Sequence, residues 1–341
     1  MSLRCVNGHG WGTLHASRGV KGDSQPFRRP DPAAGHAMQS SSRPLLSVIA
    51  VFHDMAREAP RTLLTLSPGY QRGVSPSDYE VLAVDCGSVP PLPDTVVHHC
   101  GPTCRLVRME AAPSPAASIN AAVRLSRGEA VMLCIDGARM LTPGIVGLTL
   151  AALRAFPDPV VATLAWHLGP KLQNESLLEG YSQEVEDRLL DSVDWRRDGY
   201  ELFRIATLAA SCSDGWLLPM SESNCLTVRR SSWDLLGGLD ERFVTPGGGL
   251  VNLDFYRRAC TTLGPLVSLL GEGTFHQVHG GVATNAPPAS HPFPVFQDEY
   301  VRLHGVPYAA PTVKPVILGA VPPQALPFLT RSVDRLRGEA P

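Results

Sequence analysis

The residues best equipped for chemistry stand at the ends of apolar runs. Asp136 follows Ala130-Val-Met-Leu-Cys-Ile135, Asp85 follows Tyr79-Glu-Val-Leu-Ala-Val84, and Phe52-His53-Asp54 follows Leu46-Ser-Val-Ile-Ala-Val51. A continuous apolar run is the pattern of a parallel strand buried on both faces, and open α/β sheets bind ligands at the carboxyl ends of such strands. Three strands thus deliver acids to one edge. Asp136 is the hard oxygen ligand that a divalent cation requires, and bland use as a strand-end cap is the alternative. Further along, Gly271-Glu-Gly-Thr-Phe-His276-Gln-Val-His279-Gly-Gly281 places two histidines at a glycine-flanked strand end.

Alternating strands and helices must position these groups. Helices are expected over 60–67, closed by Pro68-Gly69, over 115–126, stopped by Gly128, and from Thr142-Pro143 to about residue 155, with Pro143 in the favoured first turn. Further strands are expected over 96–99, 160–166, 224–229 and 265–270. This alternation calls for an α/β fold with a doubly wound, mostly parallel central sheet flanked by helices, in a single large domain. Residues 174–203 interleave charges with Leu178, Tyr181, Val185, Leu189 and Leu190 at helical spacing, which reads as one amphipathic helix with a solvated charged face. A short helix over 231–236 ends at Gly237-Gly238, Thr245-Pro-Gly-Gly-Gly249 reads as a mobile loop, and 252–263 returns to helix. Residues 1–44 lack apolar periodicity and read as a disordered leader, with Met38 as an alternative start. The folded domain is expected over 45–285, followed over 286–341 by a proline-rich extension that ends in a closing helix over 323–336.

Bulk composition narrows the classes. A chain of 341 residues, 44% hydrophobic and with a formal charge of -2, can bury a full core and carries no electrostatic footprint for nucleic acid. No apolar run reaches the ~20 residues that span a bilayer, and the N-terminus lacks the layout of a signal peptide. The expectation is a cytoplasmic protein, or one peripheral to the inner membrane face. The eight cysteines are scattered, several within core elements, and are expected as free thiols. Cys100 and Cys104, beside His98 and His99, do not match the spacing of a closed zinc site.

An ordered series of motifs resembles the family 2 glycosyltransferases, enzymes of the nucleotide-sugar-binding GT-A fold, over roughly residues 46–279. Ser47-Val-Ile-Ala-Val-Phe-His53 resembles the family's opening strand and Val84-Asp-Cys-Gly-Ser88 its Val-Asp-Asp-Gly-Ser turn. Asn120 with Gly128-Glu129 resembles its Asn-then-Gly-Glu helix, Ile135-Asp136 the start of its Asp-x-Asp motif, and Gly237-Gly-Leu-Asp-Glu-Arg-Phe243 its Gly-Gly-Phe-Asp-Glu turn. The resemblance implies transfer of a sugar from a nucleotide-diphosphate sugar to a hydroxyl of a glycan or lipid-linked acceptor, with inversion. It places Asp85 at the nucleotide base, the backbone of Val51 and Phe52 with His53 along the nucleoside, and Asn120 and Asp136 in the donor site. It also implies a divalent cation, Mn or Mg, held by Asp136 and by His279 or His276. A diphosphate leaving group carries several negative charges, so expelling it needs a cation or fixed positive groups.

The departures are specific. The second acid of Asp-x-Asp falls at Ala138, which cannot bind metal, and Arg139 follows, a residue able to neutralise phosphate bidentately. The acidic pair that supplies the family's general base falls at Val251 and Asn252. Asp254 is the nearest carboxylate, two residues and about 200 degrees around a helix, where it would equally brace Arg257 or Arg258. Glu222 is the competing base, because its segment falls where the fold lines an acceptor cleft. A noncatalytic nucleotide- or saccharide-binding relative is the alternative reading. A nucleotidyltransferase fits less well, since no glycine-rich basic loop follows the first strand.

Overall fold

The structure, a computed structural model of the chain, describes residues 43–339. The leader segment before residue 43 and the alternative start at Met38 lie outside the described residues. The elements begin with β1 (Leu46–Phe52), α1 (Ala59–Thr65), β2 (Tyr79–Cys86), β3 (Cys104–Met109), α2 (Ala116–Leu125), β4 (Ala130–Cys134) and β5 (Arg139–Leu141). They continue with α3 (Ile145–Ala155), β6 (Val160–Leu168), α4 (Gln173–Leu178), α5 (Gln183–Asp191), β7 (Ala206–Leu208), β8 (Cys225–Arg229) and α6 (Arg230–Leu236). Last come α7 (Val251–Thr262), β9 (Leu266–His276), α8 (Phe293–His304), β10 (Val316–Gly319) and α9 (Leu326–Arg337).

The strands make one sheet in the order β10-β9-β6-β8-β4-β1-β2-β3, with β5 added on β9 and β7 on β6. Along that path only β8 runs against its neighbours; β3, β2, β1 and β4 are parallel, as are β6, β9 and β10. The result is a mixed α/β domain with a mostly parallel central sheet flanked by helices. Period-two alternation divides the strand residues between two cores: Ile49 and Val51 pack on the side of α2 and α7, while Val48, Ala50 and Phe52 pack on the side of α1 and α3. On the first side Trp166, Trp216, Phe203 and Phe275 form a buried aromatic cluster.

Several local expectations are corrected. Residues Asp94–His99 form a 3-10 turn after Pro93 rather than a strand; Val96 and Cys100, the buried positions, stand four apart, a helical interval. The third strand is β3, which pairs with the edge of β2. The single helix expected over 174–203 is broken into α4, α5 and a 3-10 segment (Gly199–Ile205). Gly180 takes a left-handed conformation (φ 89), and the Ser182 and Asp198 side chains accept hydrogen bonds from the N–H groups of Val185 and Tyr200, opening the two later pieces. The proline-rich stretch contains α8, in which Pro294 sits in the first turn, where a missing N–H costs nothing.

The charged face of α5 is not uniformly solvated. Glu186 is fully buried and pairs with Arg57 (3.1 Å), while Arg57 also meets Glu58 and Asp187. Burial pushes the Glu186 carboxyl up to about 7 against the pull of Arg57 and Arg61. The folded state therefore retains a proton that the unfolded chain has released. The associated stability is complete below the ordinary carboxylate range and is lost as pH rises towards about 7. Glu186→Gln should remove this contribution, read as urea midpoints that fall less between pH 4.5 and 7 than those of the wild type; a fall of unchanged size would assign it to other groups.

Candidate functional site

Asp136 occupies the turn after β4. The Gly137 N–H donates to the Val51 carbonyl (2.8 Å) and Thr62 Oγ1 donates to the Gly137 carbonyl (2.6 Å), so β1 and α1 grip the turn from two sides. A side chain at Gly137 is excluded, because a Cβ there would collide with the Val51 carbonyl oxygen and the Phe52 ring. The histidines arrive from β9. The N–H of Gln277 donates to the Ala138 carbonyl (2.8 Å), and the N–H of Val278 donates to Glu186 Oε2 (2.7 Å). The buried acid of α5 thus fixes the backbone between the two imidazoles.

Three ligand atoms converge. His276 Nε2 lies 2.6 Å from Asp136 Oδ2, His279 Nε2 lies 3.5 Å from Asp136 Oδ1, and the two Nε2 atoms are 3.2 Å apart. Burial would raise the Asp136 carboxyl, but the two imidazoles hold it well below the usual carboxylate range. Burial drives His276 down to about 4 despite its acidic neighbour, whereas Asp136 outweighs burial at His279 and moves it up. His276 Nε2 and Asp136 Oδ2 at 2.6 Å are within hydrogen-bond distance, and the same atoms with His279 Nε2 are grouped closely enough to share a cation. Facial ligands on an ion with bonds of about 2.1 Å stand about 3.0 Å apart, within the range of separations seen here. Among the described residues this is the one group of three such side chains close enough to share a metal ion.

Sheet register extends the site sideways. Arg139 of β5 pairs with His276 of β9, and His276 pairs with His167 of β6, so three strands set a polar row across the sheet. Arg139 is only 5% exposed. One guanidinium nitrogen, Nη2, lies 3.8 Å from Asp136, while Nε and Nη1 have no hydrogen-bond partner among the described residues. A buried guanidinium with idle donors is costly unless an anion meets it.

Asp136, Arg139, His167 and His279 line a cavity of about 960 Å³, and His276 is fully buried behind them. Of the expected site residues, Val51, His53, Asp136, Arg139, Glu222 and His279 are on its wall. His53 Nδ1 donates to the Cys86 carbonyl (2.8 Å), which orients the ring. Three acids face the cavity. Asp136 is engaged by the histidines, Asp54 accepts the Val89 N–H (2.8 Å), and Glu222 has no hydrogen-bond partner among the described residues.

Other expected residues lie elsewhere. Phe52 is fully buried in the core beneath the rim. Asp85 is 2% exposed and accepts the N–H groups of Ser88 (3.0 Å) and Leu92 (2.9 Å), closing its own loop. Asn120 clasps the turn after α6, donating to the Leu239 carbonyl (2.9 Å) and accepting the Leu239 N–H (3.0 Å). Asp254 is buried, pairs with Arg258 (2.7 Å) and is not on the cavity wall. His167 and Gln173, both close to His276, have no sequence motif: sheet register pairs His167 with His276, and Gln173 reaches His276 by a side-chain hydrogen bond across 103 positions.

No model of a known protein family matches the sequence, and no curated protein matches it. Solved structures do. One is residues 1–349 of S. aureus TarS, also solved with UDP, at a TM-score of 0.47 and 12% identity over 68% of this chain and 60% of that one. Another is the mannosyltransferase PcManGT from Pyrobaculum calidifontis in complex with GDP-Man and Mn2+, at 0.44 and 16% over 86% and 70%.

Proposed function

We propose that this chain is a glycosyltransferase that takes a sugar from a nucleotide-diphosphate sugar and passes it, with inversion, to a hydroxyl of a glycan or lipid-linked acceptor. One observation carries the reading. A carboxylate and two imidazoles converge on one point beside a buried guanidinium with unpartnered donors, and Asp136, His279 and Arg139 of that set lie on the wall of a cavity large enough for a nucleotide sugar. That set complements a cation and a diphosphate together, and Ala138 explains why the guanidinium is present: one acid is missing from the metal side, and positive charge is supplied by the protein instead.

A divalent cation bound by Asp136, His276 and His279 would stabilise negative charge on the departing diphosphate. Arg139 would meet a phosphate oxygen with its idle Nε and Nη1. Glu222 is assigned as the general base: it accepts the proton of the acceptor hydroxyl as that oxygen bonds to the anomeric carbon, whose bond to the diphosphate oxygen breaks. Asp254, tied to Arg258, is assigned to bracing α7 against the turn at Gly238, whose carbonyl also accepts from Arg258 (2.9 Å).

Calorimetry with UDP, GDP, CDP and dTDP, each with manganese or with chelator, tests the assignment. One nucleotide should bind in manganese and lose roughly tenfold or more in affinity without it. Binding of none of the four in either condition would remove the basis for the proposal.

A further inference from the structure

His167 and His276 are neighbours across β6 and β9, with ring centroids 5.7 Å apart. Both rings are held by one residue, Gln173, the first of α4. Its backbone N–H donates to His167 Nδ1 (2.8 Å), so that nitrogen is bare and any single proton on the ring lies at Nε2. Its side-chain Oε1 meets His276 Nδ1 at 2.6 Å.

The orientation of the Gln173 amide follows from a chain of partners. The His279 carbonyl can only accept, so Asn285 presents Nδ2 to it. That leaves Asn285 Oδ1 to accept from Gln173 Nε2 (2.6 Å), and leaves Gln173 Oε1 for His276. Nδ1 of His276 is therefore the donor, and a ring that surrenders one proton surrenders the one at Nε2, the nitrogen facing Asp136 and His279. The two adjacent histidines are set in opposite tautomers by the two ends of one glutamine. His276 presents a lone pair to the ligand cluster. His167, on the cavity wall and with Nε2 unpartnered among the described residues, presents an N–H.

We infer that Gln173, held in turn by Asn285, is the positioning residue that makes His276 a metal ligand and His167 a hydrogen-bond donor to the occupant of the cavity. The inference rests on the cation reading above for its metal consequence, but the grip of Gln173 on both rings is independent of metal. Gln173 is 1% exposed, so its amide is shielded from competing water. Asn285 stands beside the 280–284 segment that lines the cavity, so the relay also fastens that wall to the ligand cluster. Partners that orient a ligating imidazole through its second nitrogen are typically worth 10–100-fold in metal affinity.

Two measurements on the full chain test this. Two-bond proton–nitrogen spectra of histidine-labelled protein, recorded without metal, should show His276 protonated at Nδ1 and His167 at Nε2. Gln173→Leu should abolish the bias at His276 and leave that at His167, which depends on a backbone amide. Manganese uptake, followed by electron paramagnetic resonance of the free ion, should weaken about 10–100-fold in Gln173→Leu. It should recover in Gln173→Glu, which keeps the acceptor. Asn285→Ala, at a half-buried position, should weaken uptake less and serves if Gln173→Leu does not fold. His276 protonated at Nε2 alone in the wild type, or unchanged manganese affinity in Gln173→Leu where Asp136→Ala binds none, overturns the inference. If the wild type takes up no manganese, the cation reading fails alone, and the His276 tautomer in Gln173→Leu still decides the role of Gln173: a retained bias refutes it.

Discussion

Asp136→Asn is expected to lower sugar transfer by roughly a thousandfold while leaving the fold intact. The substitution keeps the shape of the side chain and its capacity to accept the Ala138 N–H (3.0 Å), so the turn gripped by Val51 and Thr62 should persist. What disappears is the charge on which two imidazoles converge. An amide is a poor ligand for a divalent cation, and loss of one fixed electrostatic element at a developing anion commonly costs about 10²–10³ in turnover. Loss of the cation should add to that. Transfer assayed with the nucleotide sugar chosen by calorimetry, together with manganese uptake, checks the result. Wild-type turnover in a variant that no longer binds manganese would assign Asp136 to structure and return the chain to a noncatalytic binding role.

Arg139→Met should produce two effects of opposite sign. Nucleoside diphosphate affinity should fall about 100-fold, because truncating a buried charge that meets a ligand anion costs about 2–5 kcal/mol. The melting temperature of the unliganded protein should hold or rise, since methionine fills similar volume and removes a guanidinium whose Nε and Nη1 have no partner. Arg139→Lys should fall between, keeping the charge and losing the fork. Calorimetry and thermal unfolding of the same samples separate the readings. An arginine that serves only the fold would show the reverse: a lower melting temperature with nucleotide affinity unchanged.

Much of the framework was legible in sequence because burial on both faces leaves an unmistakable trace. The runs that became β1, β2 and β4 contain almost nothing but apolar residues, and the acid that ends β4 stands where such strands offer ligands. The histidines of the cluster could be read in the same way, from glycines on either side of a strand end. Residues with two uses were harder. Asp85 and Asn120 belong to motifs that resemble a donor site, yet Asp85 bonds the backbone of its own loop and Asn120 bonds Leu239 and Glu241 in the turn after α6. A Cβ on Gly238 would come within 2.6 Å of Asn120 Oδ1, so that motif is also a packing requirement. Spacing cannot distinguish the two uses.

Long-range partners left no trace at all. Glu186 looked like one charge among many on an amphipathic segment, and only its approach to Arg57, 129 residues away, shows why it is buried. Gln173 and His167 belong to the same class. Their significance arises from a strand pairing that no local pattern announces. The α8 helix was obscured for a different reason: its one proline, Pro294, lies in the first turn, where it starts a helix, and composition alone counts it as a breaker.

The row formed by Arg139, His276 and His167 has a consequence for how such a protein can change over generations. Neighbouring strands stay in step through their ladders, and a shift by one residue would turn every side chain in a strand to the opposite face. Sliding is therefore closed to gradual adaptation, while exchange of a side chain at a fixed station remains open. Diversification of this site should proceed by replacing the occupants of the row, with the spacing of the stations inherited unchanged.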